Sequence, residues 1–550
     1  MRTHAKAALC VLTALALAAT MGGPGAFANR ATDVPTATDQ AHAALARQAG
    51  VEGMVLLENH GSSLPLPASG PVALFGVGAH KTVKGGTGSG DVNNRYTISV
   101  RQGFEAAGYT VTTSAAYWDA MSTGADGASG GGGMWGGIDY SALEIALTEA
   151  SVQPTRATDH AVYVLARNSG EGSDRSSGAG DYLLSATERA NLELIGRTYA
   201  NVVVVLNVGG IVDTTFYKSI NASTAGFGGG RALDSMILMS QAGQESGHAL
   251  VDVLSGAVSP SGKLTDTWAS AYWLYPASAT FARGDGDSLQ EDYTEGIYVG
   301  YRYFDSFHRS GKPNDPDGSV NYPFGYGASY TDFSVEVDSV TATAETVTVT
   351  STVTNTGTTY PGQEVVQVYF SAPQTGLDKP YQELAGFGKT GTLAPGESQT
   401  LTITFPTTEM SSYDQARAAY VLEGGDYVIR VGNSSRATSV GGILQVPTTL
   451  VTEQLSTQET DQSLPNEMTS DPANFYSYPG EAAQIAAAPK VQVDFTGFTA
   501  PNNASPYVQS VAVDPSSAYH EVDGNLMSTI EALIDPAQTD WEGSGLPYQP

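Results

Sequence analysis

The chain has 550 residues, of which 41% are hydrophobic and 15% charged, and its formal net charge is −30 at pH 7. That length predicts three or four domains of about 150 residues each. So acidic a chain repels nucleic acid and anionic membranes at long range, and it has no Lys/Arg cluster suited to a phosphate backbone. A neutral partner outside the cell fits this charge, although acidity also serves simply to keep a secreted protein soluble.

The first residues, 1–28, have the pattern of a secretory signal peptide. Basic residues precede an apolar run over 7–19, and an A-x-A cleavage site occupies 26–28. The mature chain is therefore predicted to begin at Asn29 and to be secreted. The single cysteine, Cys10, lies in this leader, so the mature chain is expected to have no disulfide and no thiol nucleophile. No later apolar run reaches about 18 residues, which predicts no membrane span.

Residues 40–280 alternate apolar runs with helical segments. Buried parallel strands are predicted where apolar runs are bounded by turn residues, at 71–78, 161–166, 201–207 and 235–239. Between two of them, Ser185 and Glu188 have the spacing of a capping box that begins a helix. This pattern predicts an α/β fold, an open doubly wound α/β sandwich domain.

The pattern changes after residue 328. Residues 329–446 contain short alternating segments such as TVTVTSTVT at 346–354, separated by turn signals. They predict an all-β sandwich of immunoglobulin or fibronectin type III size. Residues 281–328, rich in tyrosine and glycine, are expected to form an inter-domain segment, and residues 447–550 a linker or partial region.

One loop of the first domain has the composition of a ligand site. The apolar run 161–166 leads into RNSGEGSDR at 167–175, whose central acid, Glu171, lies between two glycines. Open α/β sheets bind ligands at the carboxyl ends of their strands, so this carboxyl is a candidate proton donor. Judged on the loop alone, a solvated glutamate is the commoner explanation.

Six strings, in this order and spacing, resemble glycoside hydrolase family 3. They are GMVLLEN at 53–59, KGGTGSGDVN at 84–93, NSGEGSDR at 168–175, QAGQESGHALVDVLSGAVSPSGKL at 241–264, YTEGIYVGYRYFD at 293–305 and YPFGYGASY at 322–330. The resemblance implies the family's α/β sandwich domain followed by its fibronectin type III-like domain. It also implies a secreted, β-glucosidase-like retaining exo-β-glycosidase whose partner is an oligosaccharide or β-glycoside, with Glu171 as general acid/base.

The chemistry fits a carboxyl on that loop. A retaining glycosidase needs a protonated acid beside the glycosidic oxygen and a carboxylate nucleophile about 5–5.5 Å away. Burial against sugar and aromatic side chains raises the pKa of such an acid and keeps it protonated near neutral pH. The reaction requires no cofactor and no metal, and the eight histidines show no metal-ligand spacing.

The KGGTGSGDVN string is expected to line the sugar site. It has neither the order of a phosphate loop nor that of a dinucleotide fingerprint. Lys84, Asp91 and Asn93 are candidates for hydrogen bonds to sugar hydroxyls, with purely structural roles an equal alternative. Trp135, in a glycine-rich loop, is a candidate lid or stacking platform, and a simply packed tryptophan is an equal alternative.

The chain departs from the family's common pattern in two respects. The sandwich follows the predicted leader directly, which resembles the members with reversed domain order, and the barrel that would come next is missing. The family's nucleophile, an aspartate usually followed by tryptophan, lies in a barrel of about 200–250 residues or more, and only about 100 residues follow the β sandwich. The pair Asp540-Trp541 is not assigned that role, because no apolar strand precedes it. We therefore expect a downstream or separate barrel domain and no hydrolysis by this chain alone. The alternative is a non-catalytic carbohydrate-binding or scaffold protein derived from the family.

Overall fold

The computed structural model describes most of the two predicted domains. The described residues are 35–87, 91–92, 94–125, 138–152, 157–169, 174–281, 286, 292–307, 318–456 and 467–504. The predicted leader, Asn93, Trp135, Glu171 and the pair Asp540-Trp541 lie outside them. Among the described residues, no helix is both long enough and apolar enough to cross a bilayer.

The first domain alternates strands with helices. Its strands are β1 (Val55–Asn59), β2 (Gly70–Phe75), β3 (Tyr109–Val111), β4 (His160–Ala166), β5 (Asn201–Asn207) and β6 (Ser235–Leu238). Its helices are α1 (Ala37–Gly53), α2 (Val77–His80), α3 (Val100–Ala106), α4 (Ala115–Ala125), α5 (Glu149–Val152), α6 (Ala186–Thr198), α7 (Thr215–Ser223) and α8 (Ser246–Leu254). The predicted capping box at the start of α6 is present, with both of its hydrogen bonds.

These strands form one sheet in the order β1-β6-β5-β4-β2-β3. All neighbours run parallel except the edge strand β1, which pairs antiparallel with β6. β4 and β5 are buried in all but their first residue, as parallel strands covered on both faces must be. The predicted open, doubly wound α/β domain is confirmed.

The direction of winding reverses between β2 and β4. β3 lies on one side of β2 and β4 on the other, so the loops after β2 and β4 leave the sheet at a topological switch point, where such sheets bind ligands. Gly76, directly after β2, has a φ of +89°, and a Cβ there would lie 2.4 Å from the carbonyl oxygen of Val164 in β4. Glycine therefore lets the first of these loops turn against the neighbouring strand.

The second domain is built of antiparallel strands. After β7 (Trp268–Ala269), α9 (Tyr301–Phe307) and β8 (Val320–Tyr322) come β9 (Phe333–Ala342), β10 (Thr346–Asn355), β11 (Val365–Ser371), β12 (Glu383–Lys389), β13 (Ser398–Pro406), β14 (Ser412–Asp414), β15 (Ala419–Leu422), β16 (Gly425–Ser434) and β17 (Ala437–Val446). Burial alternates strictly along β10, which pairs with β9 and β13, while β12, β11, β16 and β17 form the opposing sheet. The predicted fibronectin type III-like sandwich is confirmed.

Part of the predicted linker folds onto this domain. β18 (Leu450–Gln454), α10 (Glu481–Ala487) and β19 (Lys490–Gln492) follow β17, and β19 pairs parallel with β17. Val493, directly after β19, is buried in the core of the sandwich. The β domain thus extends beyond residue 446.

Polar contacts join the two domains. The segment between the domains is fixed to the first domain, because the hydroxyl of Tyr322 in β8 donates to Glu58 Oε1 in β1 at 2.8 Å. Lys263, after α8, forms a 2.6 Å ion pair with Glu364, just before β11, and these side chains are only 11% and 7% exposed. Because ions are costly to bury, each charge depends on the other for its compensation.

We expect Lys263→Met to lower the free energy of unfolding by about 3–5 kcal/mol, because it leaves the carboxylate of Glu364 buried without its partner. Lys490→Met is the matched control. Its 3.4 Å pair with Asp426 is about half exposed, so a loss of at most about 1 kcal/mol is expected. Urea denaturation followed by circular dichroism measures both. Equal losses in the two variants would contradict the inter-domain role of Lys263.

Candidate active site

The loops that follow β2 and β4 meet at the switch point. Thr87 Oγ1 in the first loop donates to the carbonyl oxygen of Ser169 in the second at 3.0 Å. A cavity of about 590 Å³ lies beside this contact and is lined by residues 80–87, part of helix α3, Tyr140 and Asn168. Its volume is within the range of small-molecule sites.

Lys84 and Asp91, two of the predicted substrate-binding residues, line this cavity. Lys84 Nζ lies 3.0 Å from Asp91 Oδ1, donates to the carbonyl oxygen of Val92 at 2.7 Å and also bonds Asn94 Oδ1. An ammonium group has three donors, so all of them are engaged inside the loop. The observed role of Lys84 is therefore to hold the loop, and contact of Lys84 and Asp91 with sugar hydroxyls stays a prediction. Asn93 lies outside the described residues.

Asn207, the last residue of β5, connects three loops. Its side chain accepts from the backbone N–H of Val83 at 2.7 Å and donates to the carbonyl oxygens of Val83 and Ser240 at 2.9 and 2.7 Å. Its own carbonyl oxygen accepts from the N–H of Arg167, at the start of the loop after β4. The side chain is fully buried, and both of its amide hydrogens are engaged by the carbonyl oxygens of Val83 and Ser240.

Arg167 is held at the start of the Glu171 loop by a buried ion pair. Its guanidinium contacts both carboxylate oxygens of Glu188, at 2.6 and 2.8 Å, and the two side chains are 5% and 1% exposed. It also donates from Nε to the carbonyl oxygen of Asp181 at 2.7 Å. Two parallel bonds fix the plane of the guanidinium as well as its position.

Arg175 anchors the other end of the same loop. Its Nε is 2.6 Å from Asp181 Oδ1, and its Nη1 donates to the carbonyl oxygen of Ile211 at 2.8 Å. Arg167 and Arg175 thus both bind the segment around Asp181, which closes the loop at its base. The predicted acid, Glu171, lies between these anchors but outside the described residues, as does Trp135.

A half-buried carboxyl lies against the start of α2. Glu144 Oε2 accepts from the N–H of Val77, at the start of α2, at 3.0 Å. Burial raises the pKa of Glu144 to about 7, against the lowering effect of the Val77 hydrogen bond, and the nearby carboxylate of Glu188 raises it further. The group is therefore partly protonated near neutral pH.

Sequence reasoning missed these supporting residues. Asn207 had a signal, a polar residue at the carboxyl end of a buried apolar run. Arg167 and Arg175 also had one, as the basic residues on either side of the glycine-flanked acid. Glu144 had none, because its partners come from three distant segments.

Within the part of the chain that the structure describes, no group of three or more His, Cys, Asp or Glu side chains is placed to hold a metal ion.

Family models match both domains. Residues 54–301 match the glycosyl hydrolase family 3 C-terminal domain, and residues 364–435 match the fibronectin type III-like domain. The chain carries the C-terminal domain of glycosyl hydrolase family 3. The family resemblance based on the six strings is confirmed, whereas the roles of individual site residues stay predictions.

The curated and solved relatives include beta-glucosidases and an exo-alpha-(1->6)-L-arabinopyranosidase of Bifidobacterium longum, which is 32% identical over 400 residues that cover 72% of this chain and 48% of that protein. Beta-glucosidase A of Butyrivibrio fibrisolvens is 35% identical over 475 residues, which cover 78% of this chain and 54% of that protein. The crystal structure of a beta-glucosidase from Paenibacillus barengoltzii is 35% identical with a TM-score of 0.67, covering 77% of this chain and 45% of that one. Beta-glucosidase 3B from Thermotoga neapolitana, solved with glucose, is 34% identical with a TM-score of 0.66, covering 75% and 55%. The chain spans about half the length of these relatives.

We expect Asn207→Leu to release the loop after β2. The change removes three side-chain hydrogen bonds and leaves buried backbone groups without partners, at about 1–3 kcal/mol for each group. Native-state hydrogen exchange at the Val83 amide is expected to accelerate at least tenfold more than exchange in β10 of the second domain. Asn221→Leu is the control, since Asn221 bonds backbone groups at 232–233, away from this loop. Unchanged protection at Val83 would contradict the proposed connection.

Glu144→Gln is expected to change how stability depends on pH. Because the folded pKa is raised to about 7, the native protein binds a proton that the unfolded chain releases above its ordinary carboxyl pKa. The wild type therefore loses stability as the pH rises from about 4.5 to 7, by up to about 3 kcal/mol. The variant lacks this loss. Its stability relative to the wild type is therefore expected to be higher at pH 8 than at pH 5. Urea midpoints at both pH values test this, with Glu149→Gln, at an exposed position, as control.

Proposed function

We propose that the chain is the amino-terminal part of a secreted, retaining exo-β-glycosidase that removes terminal, non-reducing β-linked sugars from oligosaccharides or β-glycosides, as a β-glucosidase does. Glu171 donates a proton to the glycosidic oxygen as the sugar transfers to a carboxylate nucleophile. In the second step the same group, now a carboxylate, takes a proton from the water that hydrolyses the glycosyl-enzyme.

One observation carries this proposal. The base of the Glu171 loop is held on both sides, by Arg167 against Glu188 and by Arg175 against Asp181, at the topological switch point of the sheet. General acid catalysis depends on geometry first, and a loop closed at its base confines the acid it carries. The beta-glucosidase relatives support the reaction class.

The nucleophile is proposed to come from a barrel domain, downstream in the same polypeptide or on a separate chain. The length of the relatives supports this, since about half of each lies beyond the matched region. Lys84, Asp91, Asn93 and Trp135 are proposed to contact the sugar from this side. Secretion is proposed from the leader pattern at 1–28, with its A-x-A site.

The test uses the complete polypeptide encoded by the reading frame that contains this chain. Glu171→Gln is expected to lower kcat/KM for 4-nitrophenyl β-D-glucopyranoside by about 10²–10⁴-fold, because general acid catalysis contributes that much. The loss is expected to be much smaller for the 2,4-dinitrophenyl glucoside, whose leaving group needs no proton. Steady-state kinetics at fixed pH measure both.

Glu149→Gln is the matched control, because Glu149 is exposed and does not line the cavity of the candidate site. It is expected to leave both rates nearly unchanged. Equal losses on the two glucosides in Glu171→Gln would exclude the proton-donor role. Hydrolysis by the 550-residue chain alone would contradict a nucleophile outside it, and a complete polypeptide without hydrolysis would favour a binding or scaffold protein.

A further inference from the structure

A row of side chains crosses the exposed face of the small sheet β14-β15-β18 in the second domain. Tyr413 in β14 lies directly opposite Tyr420 in β15, and Tyr420 lies opposite Glu453 in β18. The carboxylate of Glu453 accepts a 2.7 Å hydrogen bond from the side chain of Asn503, whose backbone N–H bonds the carbonyl oxygen of Gln454 in β18. We call Tyr413, Tyr420, Glu453 and Asn503 the tyrosine row. None of them lines the cavity of the candidate active site.

The two rings of the row are exposed and touch each other. Tyr413 is 42% exposed and Tyr420 40%, and their centroids lie 5.4 Å apart at an interplanar angle of 61°. Single exposed apolar side chains are normal on a protein surface, whereas adjoining ones form an apolar patch that can bind a partner. Of the exposed aromatic side chains in the described ranges, these two are the pair in ring contact. Because one ring stands against the edge of the other, they form a step with an apolar floor and an apolar wall.

The backbone that carries the rings is held in place. Val421, next to Tyr420, is buried on the opposite face of the sheet. The turn between β14 and β15 contains a 3.3 Å ion pair of Arg417 with Asp414, and the side chain of Gln454 donates to the carbonyl oxygen of Arg417 at 3.1 Å. A ligand therefore meets rings on a ribbon that is ordered before binding, which lowers the cost of binding.

The chemistry of the row suits a neutral, polyhydroxylated chain. Aromatic rings offer apolar faces to the C–H groups of a pyranose, and the oxygens of Glu453 and Asn503 accept hydrogen bonds from its hydroxyls. No cation belongs to the row, and the net charge of −30 repels an anionic polymer. Neighbouring strands lie about 4.8 Å apart, so four residues in line span about 14 Å. A straight row of that length fits an extended polymer better than a coiled one.

We propose that the tyrosine row is a surface site for a neutral, extended polysaccharide, a β-linked glucan. One pyranose stacks on the step formed by Tyr413 and Tyr420, and the hydroxyls of the next one bond Glu453 and Asn503. The proposal goes beyond the proposed function, because binding at this row needs no catalytic group. A second site on the same polypeptide raises the effective concentration of the polymer at a catalytic centre without any new contact there.

Affinity electrophoresis of the 550-residue chain in native gels tests this, with barley β-glucan as the probe and gels without polysaccharide as the reference. We expect the glucan to retard the wild type. Tyr413→Ala and Tyr420→Ala are each expected to raise the dissociation constant by about five- to tenfold, the effect of losing an aromatic contact. Glu453→Ala is expected to raise it by about threefold, the effect of losing a hydrogen bond. Tyr420→Phe keeps the ring and is expected to retain the binding.

Phe387→Ala is the matched control, because Phe387 is an aromatic residue of the same domain that is 68% exposed in β12, outside the row. It is expected to leave the retardation unchanged. A wild type that the glucan does not retard, an equal loss in Phe387→Ala, or retardation that survives both alanine variants at Tyr413 and Tyr420 would overturn the proposal. Soluble starch, whose chains coil, and the polyanion alginate are expected to retard the chain much less, and equal retardation by either would refute a neutral, extended ligand. The readout is binding, so the outcome is independent of the kinetics of Glu171→Gln.

Discussion

The arrangement of the candidate site depends on the hydrogen bonds of the Asn207 side chain. It lies at the carboxyl end of a central parallel strand, where one amide reaches Val83 on one side and Ser240 on the other. Its backbone also accepts from Arg167. An amide that satisfies buried backbone groups in two loops makes their positions interdependent, because breaking either contact leaves polar groups unpaired.

Ion pairs also fix the position of the loop after β4. The pair of Arg167 with Glu188 gains little net stability over an apolar pair of the same shape, because both ions lose their hydration. Its effect is positional, since Glu188 also belongs to the capping box of α6. The start of the Glu171 loop is thereby tied to the first turn of a long helix. Arg175 ties the other end to Asp181, so the loop is defined at its base by charge-assisted bonds.

The fold was largely predictable from the sequence, because its signals are local. The runs at 161–166 and 201–207 are typical of buried strands, and the alternation over 346–354 is typical of a strand with one face in a core. The parallel pairing of β19 with β17 was not predictable, since three residues do not specify a partner strand. The contacts of Lys84 could not be predicted from the sequence either, because its partners depend on how the loop closes.

The candidate site was predictable as a set of loops but not as a set of contacts. Sequence motifs indicated Glu171 and Lys84, whereas Asn207 and Arg175 act through bonds to segments far away in the chain. The bonds that close both loops come from side chains of this chain alone. The shape of this half of the site is therefore established before any other domain contributes. A barrel that brought a nucleophile would meet a surface already organised, with a polar cavity beside the contact between the loops after β2 and β4. Preorganisation of this kind reduces the cost of assembling a catalytic pair from two domains.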